Sequence, residues 1–389
     1  MGMAITFVVS MMAILTVTFT LGQDMMQAFT DFSGTWIRQE SRLEAQSDTR
    51  LSSPFGATMG ESSTISLILV NDGDEVLGWF RDWDLIIETL RPSTPGISYL
   101  TYTEDVVPGD NEWTVSGIYR DAETLTDEVV DLGILNSGEE MIILANPSPA
   151  IVAGYYDRAV LATPNGISTQ IIFKVSAFLY VADRGDGLVY IYKDDGTYDS
   201  VDFFDPDNDD ARGITTDNTN FWTVDVDDLQ VNSCPRSFNV ATPWSLDAAN
   251  ATSTGLTTDG TNIWTVDPDD ALVYKYDMVW ASVSSFALDA ANAGPTGITT
   301  DGTSFWIMDD GDDVAYKYTL AGVLESSFAL TSANADPTGI TTNGSQIWVV
   351  DSADLKIYSY RIDGVYISTG DISLTAPNAD PQGITVRSK

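Results

Sequence analysis

The sequence predicts a mainly β protein in three parts: a long N-terminal α-helix over residues 1–52, an immunoglobulin-like β-sandwich over 53–175, and a five-bladed β-propeller over 176–389. Three observations carry this division. A 42-residue repeat fills the C-terminal half, short alternating runs bounded by turn residues fill the middle, and the first 23 residues carry no charge.

Between Met1 and Gln23 no side chain is charged, and Ala4 to Leu21 is apolar apart from Thr and Ser. That length is enough to cross a bilayer. A cleavable secretory signal wants a cation ahead of its apolar run and a small-x-small site after it. Here the first cation is Arg38 and the run ends Leu21-Gly22-Gln23-Asp24, so an ordinary signal peptide is not expected. Beyond Asp24 the pattern turns amphipathic. Met25, Met26, Phe29, Phe32, Trp36, Ile37 and Leu43 fall at helical spacings until Pro54 and Gly56 interrupt them. A helix of this length would reach about 75 Å. Its apolar face outlasts a bilayer, which predicts packing against copies of itself through Ile5, Val8, Met12, Leu15, Phe19, Met26, Phe29 and Trp36.

The middle region predicts strands at Ser63 to Val70, Leu85 to Leu90, Glu112 to Ile118, Glu140 to Leu144, Arg158 to Ala162 and Thr169 to Val175. Turn signals such as Asn71-Asp72-Gly73, Pro108-Gly109-Asp110, Asn136-Ser137-Gly138 and Pro164-Asn165-Gly166 separate them. Short strands at this spacing, without disulfides, predict the sandwich.

The repeat is strict. Trp222, Trp264, Trp306 and Trp348 stand 42 residues apart, with Tyr180 one step before them. Tyr192, Cys234, Tyr276, Tyr318 and Tyr360 keep the same interval, which makes the single cysteine a substituted core aromatic. Gly213, Gly255, Gly297 and Gly339 open the units, and Gly383 opens a truncated one. Each unit reads as four strands, for example Thr296 to Thr299, Ser304 to Met308, Val314 to Tyr318 and Ser326 to Leu330. Asp259-Gly260, Asp301-Gly302 and Asn343-Gly344 predict type I′ hairpins between the first two. A period near 42 with four strands is a propeller signature. The final Gly383-Ile384-Thr385-Val386 supplies the inner strand that the unit at Phe178 to Asp183 lacks, so five blades close by pairing the two ends.

Asp183, Asp225, Asp267, Asp309 and Asp351 also recur once per blade. A capped turn after the second strand explains them better than a metal, because a calcium site gathers six to eight oxygens in one place. The run Asp205 to Asp210 looks like a calcium loop but lacks the Glu that closes one, so a polar turn between blades is expected. No metal ligand is assigned. Asn250-Ala251-Thr252 and Asn343-Gly344-Ser345 are sequons, relevant to an exported chain in a glycosylating host.

Composition excludes several functions. With 57 acidic against 18 basic residues the net charge is −39, which repels nucleic acid. Histidine is absent and cysteine occurs once, which removes Ser-His-Asp and Cys-His catalysis, zinc helices and disulfides. Neither a phosphate-binding loop nor a dinucleotide fingerprint is present, so no cofactor and no enzyme activity are expected. Paired carboxylates of the glycosidase type are the one catalytic route left.

The long apolar helix ahead of a β domain resembles the archaellin and archaeal type IV pilin superfamily, with Ile5 where bacterial pilins usually carry Glu. Ala162 to Ser168 with Gln170 to Val175, and Ser137 to Met141, are similar to hairpins of archaellum accessory, stator-type proteins. The repeats resemble NHL-like short-blade propellers. These families carry a short basic leader ahead of the apolar run and none is visible here, so either the chain is already processed or the resemblance fails at this point. The resemblances imply a chain inserted in the membrane before assembly that polymerises with copies of itself into an extracellular filament bearing the propeller as decoration. The alternatives they leave are a membrane-anchored accessory protein binding the surface layer, and a tethered sugar-cleaving propeller. No ligand of the propeller is legible.

Overall fold

The computed structural model describes residues 39, 42–53, 58–59, 64–90, 96–128, 131–151, 154–203, 210–235, 242–279 and 281–388. The assembly residues Ile5, Val8, Met12, Leu15, Phe19, Met26, Phe29 and Trp36 therefore lie outside the described residues, and with them nearly all of the expected long helix. Its described end stops short of Ser52. Residues 42–48 are helical, Thr49 donates its backbone N–H to Ala45 O at 3.0 Å, and Leu51–Ser52 is already a strand paired with Asn71 and Val70. Pairing with a neighbouring strand satisfies that backbone in place of helical bonds.

The chain forms two compact units. The first centres on Thr64–Ala150 and Asp157–Phe173. Its strands follow the order Leu51–Ser52, Ile65–Asn71, Glu140–Asn146, Glu112–Asp121, Gly96–Tyr102, Asp84–Thr89, Tyr156–Ala162, Ser168–Lys174. All six expected strands are present, with Gly96–Tyr102 in addition. They make one hydrogen-bonded path, joined in its middle by a short parallel step, Thr101↔Glu112 and Tyr102↔Trp113. This architecture is mainly β, and the finer immunoglobulin-like arrangement is not what the strand order displays. Alternation does the folding work: Leu67, Leu69, Met141 and Ile143 are fully buried while their strand neighbours are only partly so, and Trp113 is fully buried beside Thr114.

The second unit, Lys174–Lys389 with Ile151–Tyr156, is a five-bladed propeller of four-stranded sheets. The repeat unit's four strands are Pro295–Thr300, Ser304–Asp309, Val314–Thr319 and Leu324–Ala329, from the axis outward. The ring closes as the repeat count requires. Pro381–Ser388 pairs antiparallel with Ala177–Asp183, completing the first blade from the far end of the chain.

The cores lie between blades. Trp264 packs with Ile298, Phe305 and Ile307 of the following blade, and its ring meets Phe305 edge-on at 5.2 Å. Trp222, Trp306 and Trp348 do the same at their seams, and Tyr180 replaces Trp at the seam that holds Cys234. Tyr276, Tyr318 and Tyr360 are fully buried, as are these tryptophans to 5% or less. At the axis the inner strands touch at glycine. A Cβ built on Gly255 would lie 2.9 Å from Gly297 Cα, and one on Gly383 would lie 2.8 Å from Gly213 Cα, so the five opening glycines form a closed ring.

Candidate functional site

Four inner strands run from that glycine ring to a hairpin on the opposite face, and the fifth, Pro381–Ser388, runs to the chain end there. Along the way Thr215, Thr257, Thr299, Thr341 and Thr385 line the channel, all buried. The channel therefore has unequal ends. It holds about 10 Å³ at the glycine ring, about 60 Å³ between the threonines, and about 420 Å³ at the hairpin mouth. It is a blind pocket that opens on one face.

The hairpins that rim the mouth are not the expected two-residue type I′ turns. Pairing stops at Thr258↔Ile263, leaving four residues between the strands, and of Asp259 and Gly260 only the glycine has positive φ, at 82°. A type I′ turn needs positive φ at both central residues. The side chains close the loop instead. Asp259 Oδ1 accepts from the backbone N–H of Thr261 at 2.8 Å and of Asn262 at 2.7 Å, and Thr258 Oγ1 donates to Asn262 O at 2.8 Å. Burial works against the ionised Asp259, but the donations from Thr261 and Asn262 outweigh it and hold the carboxyl below its usual range. Asp217, Asp301 and Asn343 cap their own hairpins in the same way.

That repeat position varies in one informative way. Asp217, Asp259, Asp301 and Asn343 each stand four residues after the opening glycine, and in the first blade the place belongs to Arg387. Arg387 lines the mouth but is only 5% exposed, pairs through its backbone with Phe178, and leaves Nε buried without an acceptor. It forms no ion pair among the described residues. The mouth thus carries a cation on one blade, while Asp259 and Asp301 belong to the two blades not adjacent to it.

The once-per-blade aspartates sit on the other face and are all buried to 3% or less. They do more than cap a turn. Asp267 Oδ1 accepts from Asp269 N at 3.0 Å in its own turn, while Oδ2 accepts from Thr252 N at 3.0 Å in the loop that enters the blade. Asp351 and Asp309 bridge the same two places. Asp183 does so across the ring closure, with Oδ1 on Gly185 N at 2.7 Å and Oδ2 on Ala379 N at 2.6 Å. Asp225 caps Asp228 N, and burial pushes its carboxyl above the usual range. Asp210, the last residue of the calcium-like run, pairs with Arg184 and Arg212, and Asp205 to Asp209 lie outside the described residues.

A second device repeats beside it. The hydroxyls of Tyr276, Tyr318, Tyr360 and Tyr192 accept from the side-chain amides of Asn250, Asn292, Asn334 and Asn378 at 3.0–3.3 Å. Asn250 is therefore fully buried and bonded into its blade, and the folded propeller does not present this sequon to a modifying enzyme. Asn343 is half-buried at the mouth. Cys234 is buried in the place of the fifth tyrosine. Repeat spacing also contained the Asn series, but the sequon reading of Asn250 obscured it.

Chemically, the mouth offers hydroxyls, carboxylates and one guanidinium. General acid–base work by two carboxylates needs one held neutral and one ionised. The mouth instead presents three aspartates in equivalent turns. No group of three or more potential metal ligands occurs among the described residues.

No protein-family model and no curated protein matches the chain. Among solved structures it is similar to virginiamycin B lyase from Staphylococcus aureus, at 15% identity over 58% of this chain and 80% of that one, with a TM-score of 0.35. A structural genomics protein of unknown function from Bacteroides thetaiotaomicron is 14% identical over 84% and 85%, with a TM-score of 0.42. The archaellum periplasmic stator protein FlaG from Sulfolobus acidocaldarius is 19% identical over 32% of this chain and 99% of that one, with a TM-score of 0.24. At such identities and scores they say nothing of what this chain does. The expected archaellin- or pilin-like filament subunit, with its motility role, is nonetheless overturned. The structural neighbours that span most of the chain are lyase-type and other propeller proteins, not pilin filament subunits. The segment that was to form a filament core lies outside the described residues, among which no helix is long and apolar enough to cross a membrane.

Proposed function

We propose that this chain is a non-catalytic binding protein whose propeller receives a small polar ligand in the blind mouth of its channel. One observation carries the reading. Four equivalent hairpins and the end of the first blade's inner strand converge on a cavity of about 420 Å³, and the repeat position that meets it is the one that varies, with Asp217, Asp259, Asp301, Asn343 and Arg387. The first blade has no hairpin for an aspartate to cap, but that does not call for an arginine that is 5% exposed with Nε lacking an acceptor, whereas unequal walls suit recognition of an asymmetric ligand. The glycine ring supports the same reading, since it leaves only about 10 Å³ and gives the cavity a floor. Extracellular placement is part of the proposal and rests on the net charge of −39 and the uncharged run ahead of Asp24.

The test uses ligand-observed NMR with a panel of small polar molecules of every charge type, on the full chain and on a Val386→Phe variant. Val386 lines both the mouth and the threonine zone, so a larger ring there blocks the cavity without removing a side-chain hydrogen bond. Binding that is lost in the variant is expected. Binding that survives it would place the ligand elsewhere, and conversion of a bound molecule to product would refute the non-catalytic part.

A further inference from the structure

We infer that the mouth selects a small dipolar ligand, with a carboxylate seated on Arg387 and an ammonium group turned toward Asp259 and Asp301. This rests on the mouth being the binding site. The starting observation is Arg387, 5% exposed, lining the cavity, with Nε buried and unbonded. A buried guanidinium without a partner is costly, and a ligand carboxylate relieves that cost with two parallel charge-assisted bonds. None of the described acidic residues places a carboxylate on this arginine, although the chain has 57 of them.

The opposite wall sets the other end of the ligand. Asp259 and Asp301 each commit Oδ1 to their own turn, through Asn262 N at 2.7 Å and Ser304 N at 2.9 Å. Asp301 Oδ2 has no partner among the described residues, and Asp259 Oδ2 meets only the Asn262 amide, at 3.3 Å. Both side chains are exposed at the rim. With Asp217 they make the mouth net negative, which disfavours a simple anion, while Arg387 disfavours a simple cation. A molecule carrying both charges satisfies both walls.

The probe is 6-aminohexanoate, titrated calorimetrically into the full chain beside hexanoate, hexylamine, and the four- and eight-carbon amino acids. The dipolar probe is expected to bind at least about tenfold more tightly than either singly charged analogue, the scale of one charged hydrogen-bonded contact. Arg387→Gln should weaken the dipolar probe about tenfold while hexylamine binds at least as tightly as before. The pair Asp259→Asn and Asp301→Asn should weaken it similarly with the hairpins intact, because Asn343 caps the same turn with an amide oxygen at 3.0 Å. Hexylamine or hexanoate binding as tightly as the dipolar probe, or an unchanged affinity in Arg387→Gln, would overturn the dipolar assignment while leaving the mouth as the site. If no probe of any charge binds at the mouth, the assignment falls together with the reading on which it rests.

Discussion

Replacing Gly255 with Ala tests the closure of the propeller at its axis. The added Cβ would lie 2.9 Å from Gly297 Cα, 2.9 Å from Thr296 O and 3.1 Å from Ile298 N. All three are backbone atoms of the next inner strand, so no side chain can swing aside. Ordinary contact needs about 3.5–4.0 Å, and overpacking a filled interior costs about 1–3 kcal/mol. The upper end applies, because Gly297 in turn abuts Gly339, Gly339 abuts Gly383 and Gly383 abuts Gly213, so a shift at one step is passed around the ring. For a unit of this size each kcal/mol lowers the melting temperature by about 2–4 °C, which gives a fall of about 6–12 °C. Scanning calorimetry on the full chain reads it. Gly260→Ala is the control: its Cβ would meet nothing within 4 Å, but its φ of 82° strains an alanine, for a loss of about 1 kcal/mol. If Gly255→Ala melts no lower than Gly260→Ala, the close approach of inner strands does not hold the ring.

Three other outcomes follow from the same geometry. Asp267→Ala leaves the N–H groups of Thr252, Asp269 and Asp270 without their acceptor, so a loss of about 2–4 kcal/mol is expected, unaffected by a calcium chelator; a loss below about 1 kcal/mol would reduce Asp267 to a simple turn cap. The phenols of Tyr190, Tyr274, Tyr316 and Tyr358 are raised by burial and by the neighbouring Asp186, Asp270, Asp312 and Asp354, Tyr274 to about 12. Their folded values exceed the unfolded one near 10, so the unfolded chain loses these protons first, and stability present below about pH 10 falls as pH rises toward 12. Part of the phenolate absorbance of the sixteen tyrosines should appear only together with loss of near-UV dichroism; complete ionisation near pH 10 with the fold intact would contradict this. Deleting Gly383 to Lys389 removes the inner strand of the first blade, including buried Ile384, and exposes the edge of Ala177–Asp183, so the cooperative propeller transition should disappear; an unchanged transition would refute closure by the chain ends.

Much of the propeller was legible because each blade repeats one solution, and the period exposes every position that serves it. Strand order, blade number and the core place of Cys234 all follow from counting by 42. What escaped was tertiary or of inverted parity. Gly96–Tyr102 alternates, but Ile97 and Tyr99 face outward at 60% and 70% exposure while Ser98 and Leu100 face in, so its apolar signal sits on the wrong face. The second oxygen of Asp267, Asp309 and Asp351 reaches a loop some 15 residues earlier, which no local pattern encodes. Arg387 was within reach. Extending the Gly383-Ile384-Thr385-Val386 alignment by one residue sets it beside Asp217, Asp259 and Asp301. The mouth itself was not, since its volume depends on how far apart the hairpins stand.

The most direct measurement of the central claim is methyl NMR of the full chain with labelled threonine and valine, titrated with whichever panel molecule binds. Thr216, Thr258, Thr300, Thr342 and Val386 report on the mouth, and exposed Thr124 and Thr126 of the first unit serve as references. We predict saturable shifts in the mouth methyls with the references unmoved. Saturable shifts confined to methyls outside the mouth would contradict the account.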